Sequence, residues 1–166
     1  NTTSLVLPGY SLTYRDKDSE LNINNGTYLQ MLTQIGREGY GSDIDFAKAV
    51  VEATLIRTFN NVHRITIRGE AGVIKTNSFD EVPTSLRFYA GGDKSVRGFD
   101  YREISPIAEV IDPETGELIV DSIGGKYLAT SSVEYAYQVA DNWRVAAFVD
   151  AGTATNDTST TLTYSV

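Results

Sequence analysis

The sequence contains no cysteine, which excludes disulfide frameworks, thiolate metal sites and thiol catalysis. It contains one histidine, His63, so a hydrolase with a serine, histidine and aspartate triad would have to use that residue. It has no run near the roughly eighteen consecutive apolar residues that indicate a membrane helix. A form of this chain that crosses a membrane would therefore be a β-barrel.

Basic residues are also scarce. The 166 residues include 14 lysines and arginines against 22 acidic residues, for a net charge of -8. A face that binds nucleic acid needs clustered basic residues, so we expect no nucleic-acid partner. The stretch "AGGDKSVRG" lacks the Gly-Lys-Ser/Thr ending of a phosphate-binding loop. The acidic turn at 112–117 lacks the ligand spacing of a calcium loop, and we expect neither a cofactor nor a metal.

Most of the chain alternates between apolar and polar residues, which is typical of β-strands. Asn60 and Asn61 separate two such runs and indicate a tight hairpin. No helix is predicted, and the fold class is all-β and antiparallel. Strands are predicted at about 4–14, 27–36, 44–59, 62–75, 127–139 and 142–152, and "TTLTYSV" begins another.

The lengths of strands and loops favour a transmembrane barrel. Several runs have ten to fourteen residues, whereas strands of globular proteins have about five or six and tilted membrane strands about nine to eleven. Short connections on one side and long loops on the other, including one at about 76–126, are the pattern of bacterial outer-membrane barrels. Phe59, Tyr137 and Trp143 lie beside the short turns on apolar faces, where an aromatic girdle would be.

A soluble β-sandwich that binds a partner is the alternative from another class, because its strands alternate in the same way. The composition of the faces favours the barrel. An arginine that faces lipid at mid-depth costs about 2 to 4 kcal/mol, so the charged face is predicted to line a wet lumen. The same alternation places His63 on the apolar face, which argues against a hydrolase inside the barrel. The predicted lumen residues include Arg64, Arg68, Glu70, Glu134 and Asp150.

The stretch "LRFYAGGDKSVRGFD", followed by "SSVEYAY" and "FVDAG", resembles the barrel of the BamA and TamA superfamily of outer-membrane assembly and secretion proteins. The stretches "GSDIDF", "HRITIRGEAG" and "GGKYL" look most like the TamA branch, with the BamA branch as the nearer rival and two-partner secretion transporters as the more distant one. The loop motif Val-Arg-Gly-Phe/Tyr is matched by Val96, Arg97, Gly98 and Phe99, and the strand motif aromatic-x-Asp-x-Gly by Phe148, Asp150 and Gly152.

This resemblance implies that residues 1–166 are part of a C-terminal outer-membrane barrel, about six or seven strands of the sixteen in the family barrel, without the POTRA domains that precede it. The loop at 76–126 is implied to be extracellular and to fold back into the lumen. There Arg97 would contact Glu134 and Asp150, Gly98 would permit a close approach, and Phe99 would pack at the loop tip.

The resemblance also implies a function without bond chemistry, so we expect no catalytic residue and no enzyme. Family members of this kind insert or translocate outer-membrane proteins, autotransporters especially. The implied partners are outer-membrane protein clients, outer-membrane lipids and a TamB-like partner anchored in the inner membrane, with a possible role in moving phospholipid to the outer membrane. A BamA-type insertase is the alternative within the superfamily. The implied location is the bacterial outer membrane.

Overall fold

The computed structural model describes residues 3–20, 22–111, 118–141, 143–157 and 163–165. Seven strands form one antiparallel sheet in the order β1-β2-β3-β4-β7-β8-β9, and β5 and β6 form a separate antiparallel pair. The strands are β1 Gly9–Lys17, β2 Gly26–Gly36, β3 Phe46–Phe59, β4 His63–Thr76, β5 Ile107–Ile111, β6 Leu118–Ser122, β7 Tyr127–Ala140, β8 Trp143–Thr155 and β9 Thr163–Ser165.

The hairpin between β3 and β4 sets the register of the sheet centre. Asn60 and Asn61 have φ values of 50° and 58°, and asparagine tolerates this left-handed conformation better than most residues. The pairing then runs without a slip from Phe59 opposite His63 to Phe46 opposite Thr76. The hairpin prediction is confirmed, and so is the all-β antiparallel fold class.

The start of the first strand differs from the sequence prediction. The first strand begins at Gly9 rather than near residue 4, because Pro8 has no N–H for a ladder and the preceding residues bond to a loop instead. The Ser4 carbonyl accepts from the Asp43 N–H, and the Val6 N–H donates to Ser42 Oγ.

No strand or helix is predicted from the sequence in the long loop, residues 77–126 between β4 and β7. It contains the β5–β6 pair and a short 3-10 turn at Thr84–Leu86. The acidic turn at 112–117, and residues 160–162 and 166 of the last predicted strand, lie outside the described residues.

The two faces of the sheet differ in chemistry. The outer face, which carries Ile67, Val133 and Val149, is apolar and exposed. The inner face carries the charged residues and is covered by the long loop. The buried core combines residues of the strands with residues of the loops, and it consists of Ile44, Phe46, Ile74, Val82, Phe88, Ala90, Leu128 and Ala154. A sandwich needs a second sheet packed face to face, and in the described ranges the only other sheet is the β5–β6 pair. No helix in this part of the chain is long and apolar enough to cross a membrane.

The long loop packs closely on β4 at Gly72. A Cβ built on Gly72 would lie 2.4 Å from a ring carbon of Phe88. The Phe88 backbone also exchanges two hydrogen bonds with Gly125, which lies just before β7. The aromatic ring therefore packs directly on the strand backbone, and only glycine leaves room for it.

We expect Gly72→Ala to destabilise the full-length protein by roughly 1 to 3 kcal/mol, because the added methyl displaces the Phe88 ring from a closely packed site. Urea unfolding in detergent micelles, followed by gel mobility, measures this change. The matched control is Gly69→Ala on the same strand, where an added Cβ lies 3.7 Å from its nearest neighbour, the Thr130 carbonyl oxygen. Equal effects of the two substitutions would contradict the proposed packing constraint.

Candidate functional site

A tight turn in the long loop presents Arg97 to the inner face of the sheet. Gly91 and Gly92 have φ values of 102° and 96°, a region that favours glycine. A Cβ on Gly91 would also lie 2.4 Å from the Asp100 carbonyl oxygen. The Gly92 N–H donates to the Phe99 carbonyl at 3.0 Å and closes the turn. Residues 93–98 are thereby held as a compact projection from the loop.

The Arg97 guanidinium bonds to side chains from two neighbouring strands. Its Nε and Nη2 donate to the two carboxylate oxygens of Asp150 at 2.8 and 2.9 Å, and its backbone N–H donates to the same carboxylate at 3.0 Å. Its Nη1 donates to Glu134 at 2.6 Å, and Nη2 also donates to Ser132 Oγ at 3.1 Å. Glu134 and Ser132 lie on β7 and Asp150 lies on β8. The planar fork of a guanidinium suits this geometry.

The two ion pairs differ in exposure. Asp150 is fully buried, whereas the Glu134 side chain is 31% exposed and the Arg97 side chain is 19% exposed. The Phe148 ring lies beneath the guanidinium, with its centroid 3.5 Å from Cζ of Arg97. The hydrogen bonds that Arg97 donates to Asp150, followed by the one it donates to Glu134, raise the pKa of Arg97 above its ordinary value, so the group stays charged. Removing one partner of a buried pair costs about 3 to 5 kcal/mol.

The other residues of the two motifs lie around this pair. Val96 is fully buried and sits over Gly152, where an added Cβ would lie 2.6 Å from a Val96 methyl group. Gly98 has a φ of 87° and an added Cβ there would be 3.5 Å from Ser165. Phe99 is half-buried and lines a cleft of about 610 Å³ beside Thr153. The structure therefore brings Arg97 to Glu134, Asp150 and Phe148, and Val96 to Gly152, while Phe99 lies in the neighbouring cleft.

The sequence analysis assigned no role to Arg87, which holds the two ends of the long loop together. Its Nε donates to the Val82 carbonyl at 2.8 Å, and its Nη1 donates to the Ile123 carbonyl at 3.0 Å. Its Nη2 donates to the carbonyls of Phe79 and Asp80, at 3.2 and 3.0 Å. Backbone carbonyls occur at every residue, so no side-chain pattern could have indicated these acceptors.

Ser132 was also missed as a partner of Arg97. A signal was present, because Ser132 is two residues from Glu134 and so shares its face of β7. Arg68 on β4 bonds to the same hydroxyl at 3.3 Å. Ser132 therefore links the guanidinium of Arg97 in the loop with that of Arg68 on β4.

We expect Gly152→Ala to weaken loop docking by roughly 1 to 3 kcal/mol, because the new methyl overlaps the buried Val96 side chain. Hydrogen exchange of residues 91–99 in the full-length protein measures this loss of protection. Val96→Ala removes the overlapping methyl groups, so we expect the double variant to be less destabilised than the sum of the two single variants. Strict additivity would contradict the packing of Val96 on Gly152.

Comparisons with known proteins identify the family and the fold of this chain. A family model described as the Omp85 superfamily domain matches residues 1–166. The outer membrane protein assembly factor BamA of Nitratidesulfovibrio vulgaris is 35% identical over 120 residues, which is 72% of this chain and 14% of that protein. The crystal structure of BamA from Haemophilus ducreyi lacking POTRA domains 1–3 is similar in fold, with a TM-score of 0.75, 22% identity, and coverage of 89% of this chain and 29% of that one. The chain thus spans about a seventh of the length of the first relative.

Proposed function

The chain belongs to the Omp85 superfamily, and from that membership we propose that it forms part of the barrel of an outer-membrane protein assembly factor. The predicted superfamily and the location in the bacterial outer membrane are confirmed by the family match and the BamA relative. The antiparallel barrel-type fold is confirmed by the similarity to the solved BamA structure. The relative's printed name, an outer membrane protein assembly factor, supports the same role for this chain.

The observation that carries the proposal is the bonding of Arg97 to both β7 and β8. One guanidinium from the loop contacts Glu134 on one strand and Asp150 on the next, so the loop and the two strands form one unit. We infer that the docked loop holds β7 and β8 in one arrangement while the barrel acts on a client at the membrane. The docked loop would supply that rigidity from the lumen, and no covalent step is required.

Two finer roles are compatible with this unit. The TamA-like role includes autotransporter insertion with a TamB-like partner and phospholipid transport, and the stretches "GSDIDF" and "HRITIRGEAG" favour it. The BamA-type role is insertion of outer-membrane proteins in general, and the BamA relatives favour it. Depletion of the TamB-like partner distinguishes them, because client assembly by this protein would fall only in the first case.

We expect Arg97→Ala in the full-length protein, expressed from its own locus, to reduce the assembly of outer-membrane clients about tenfold or more. The reason is that a buried pair contributes more than the roughly 1.4 kcal/mol that corresponds to a factor of ten. Heat-modifiable folding of clients in outer-membrane fractions measures the change. The matched control is Lys94→Ala, an exposed residue of the same turn. Normal client assembly in the Arg97→Ala strain would refute the proposed role of the docked loop.

A further inference from the structure

Arg57 interrupts the apolar outer face of β3. Val51, Ala53 and Leu55 precede it on that face, and Phe59 follows it at the end of the strand. In the ladder Arg57 lies opposite Ile65 of β4, which also faces outward. A charged side chain therefore lies among apolar residues on the surface that meets lipid.

The hydrogen bonds of Arg57 to the described residues are all to neutral groups. Its Nη1 donates to the carbonyls of Gly26 and Ile56 at 2.8 and 2.7 Å, and its Nη2 donates to Thr27 Oγ1 at 3.2 Å. The ion pairs among the described residues involve Lys17 and Arg97 and not Arg57. The nearest acidic residue in the ladder on this face is Asp16 of β1, which lies opposite Thr27 of β2. Asp16 forms no ion pair with the guanidinium. No carboxylate of the described part of the chain thus pairs with the positive charge of Arg57.

An aromatic cluster on the same face marks the depth of Arg57. His63 stacks on Tyr135 with ring centroids 6.1 Å apart, and it lies tilted against Tyr137 with centroids 5.2 Å apart. His63 Nδ1 and the Tyr135 hydroxyl are 2.7 Å apart. Aromatic rings of this kind collect at the level of lipid headgroups. Tyr135 lies opposite Ile65, so it shares a cross-strand row with Arg57, about 10 Å away by two strand spacings. The row is two residue pairs from the hairpin rim at Phe59 and His63.

We propose that Arg57 binds the phosphate of a membrane phospholipid at the rim of the short turns, beside the cluster of His63, Tyr135 and Tyr137. The guanidinium fork matches the oxygens of a phosphate, and this anion is what a membrane offers at the depth of an aromatic girdle. The carbonyls of Gly26 and Ile56 hold the side chain against the first residues of β2, and the phosphate supplies the missing negative charge. This inference rests on the outer-membrane placement of the proposed function.

The test measures how far phosphatidylglycerol raises the thermal unfolding midpoint of the full-length protein in a neutral detergent, since a ligand of the folded state stabilises it. The parallel probes are a diacylglycerol with the same acyl chains, which lacks the phosphate, and inorganic phosphate alone. The variants are Arg57→Gln, which removes the charge, and Arg57→Lys, which keeps it without the fork. The control is Arg64→Gln, which removes an arginine at nearly the same depth on the opposite face of β4.

We expect phosphatidylglycerol to stabilise the wild type and Arg64→Gln, and diacylglycerol to stabilise neither. Arg57→Gln should need about tenfold more phosphatidylglycerol for the same rise, the loss expected of one charge-assisted interaction, and Arg57→Lys should lie between. If Arg57→Gln responds to phosphatidylglycerol as the wild type does, Arg57 only bonds to backbone carbonyls. If inorganic phosphate stabilises the wild type as much as phosphatidylglycerol does, the site binds a free anion. Either result overturns the proposal. Client assembly is scored separately, so a defect there with an intact lipid response would count against the proposed function alone.

Discussion

The bond between the Arg97 guanidinium and the fully buried Asp150 carboxylate constrains the surrounding structure. A carboxylate without access to water requires a charged partner, and the partner here comes from a loop 53 residues earlier in the sequence. The loop must therefore enter the space over the inner face of the sheet. Gly152 leaves the room that Val96 fills beside Arg97, and the glycine turn at 91–92 lets the chain project and return. The entry of the loop, the small residue at Gly152 and the glycine turn are all explained by the contact between Arg97 and Asp150.

The ionic pair acts together with attachments at the base of the loop. Arg87 joins the two ends of the loop through backbone carbonyls, and Lys48 Nζ donates to the Leu86 carbonyl at 2.8 Å. These contacts position the loop, whereas Arg97 connects it to β7 and β8. The inner face thus concentrates charge where protein covers it, and the outer face stays apolar for lipid. Arg57 is an exception on that outer face, close to the level where phosphate is available.

The sequence predicts the parts of this arrangement that follow from strand periodicity. Alternation along β7 and β8 places Glu134 and Asp150 on one face, and two adjacent asparagines specify the hairpin. The prediction that Arg97 contacts Glu134 and Asp150 needed the family resemblance as well as the alternation of the strands. The β5–β6 pair and the contacts of Arg87 could not be predicted, because they depend on how a long loop folds and on backbone acceptors that no residue type marks. The first strand was placed too early because the alternation continues through Leu5 and Leu7, which pack against the core instead.

The most direct measurement is a double-mutant cycle with Arg97→Ala and Asp150→Ala in the full-length protein, using the free energy of unfolding in micelles. If the two residues act as one unit, the double variant will be no worse than the more damaging single variant. Their coupling energy will then be well above about 1 kcal/mol. Additive effects with a coupling near zero would mean that the loop is held without this pair and would contradict the account.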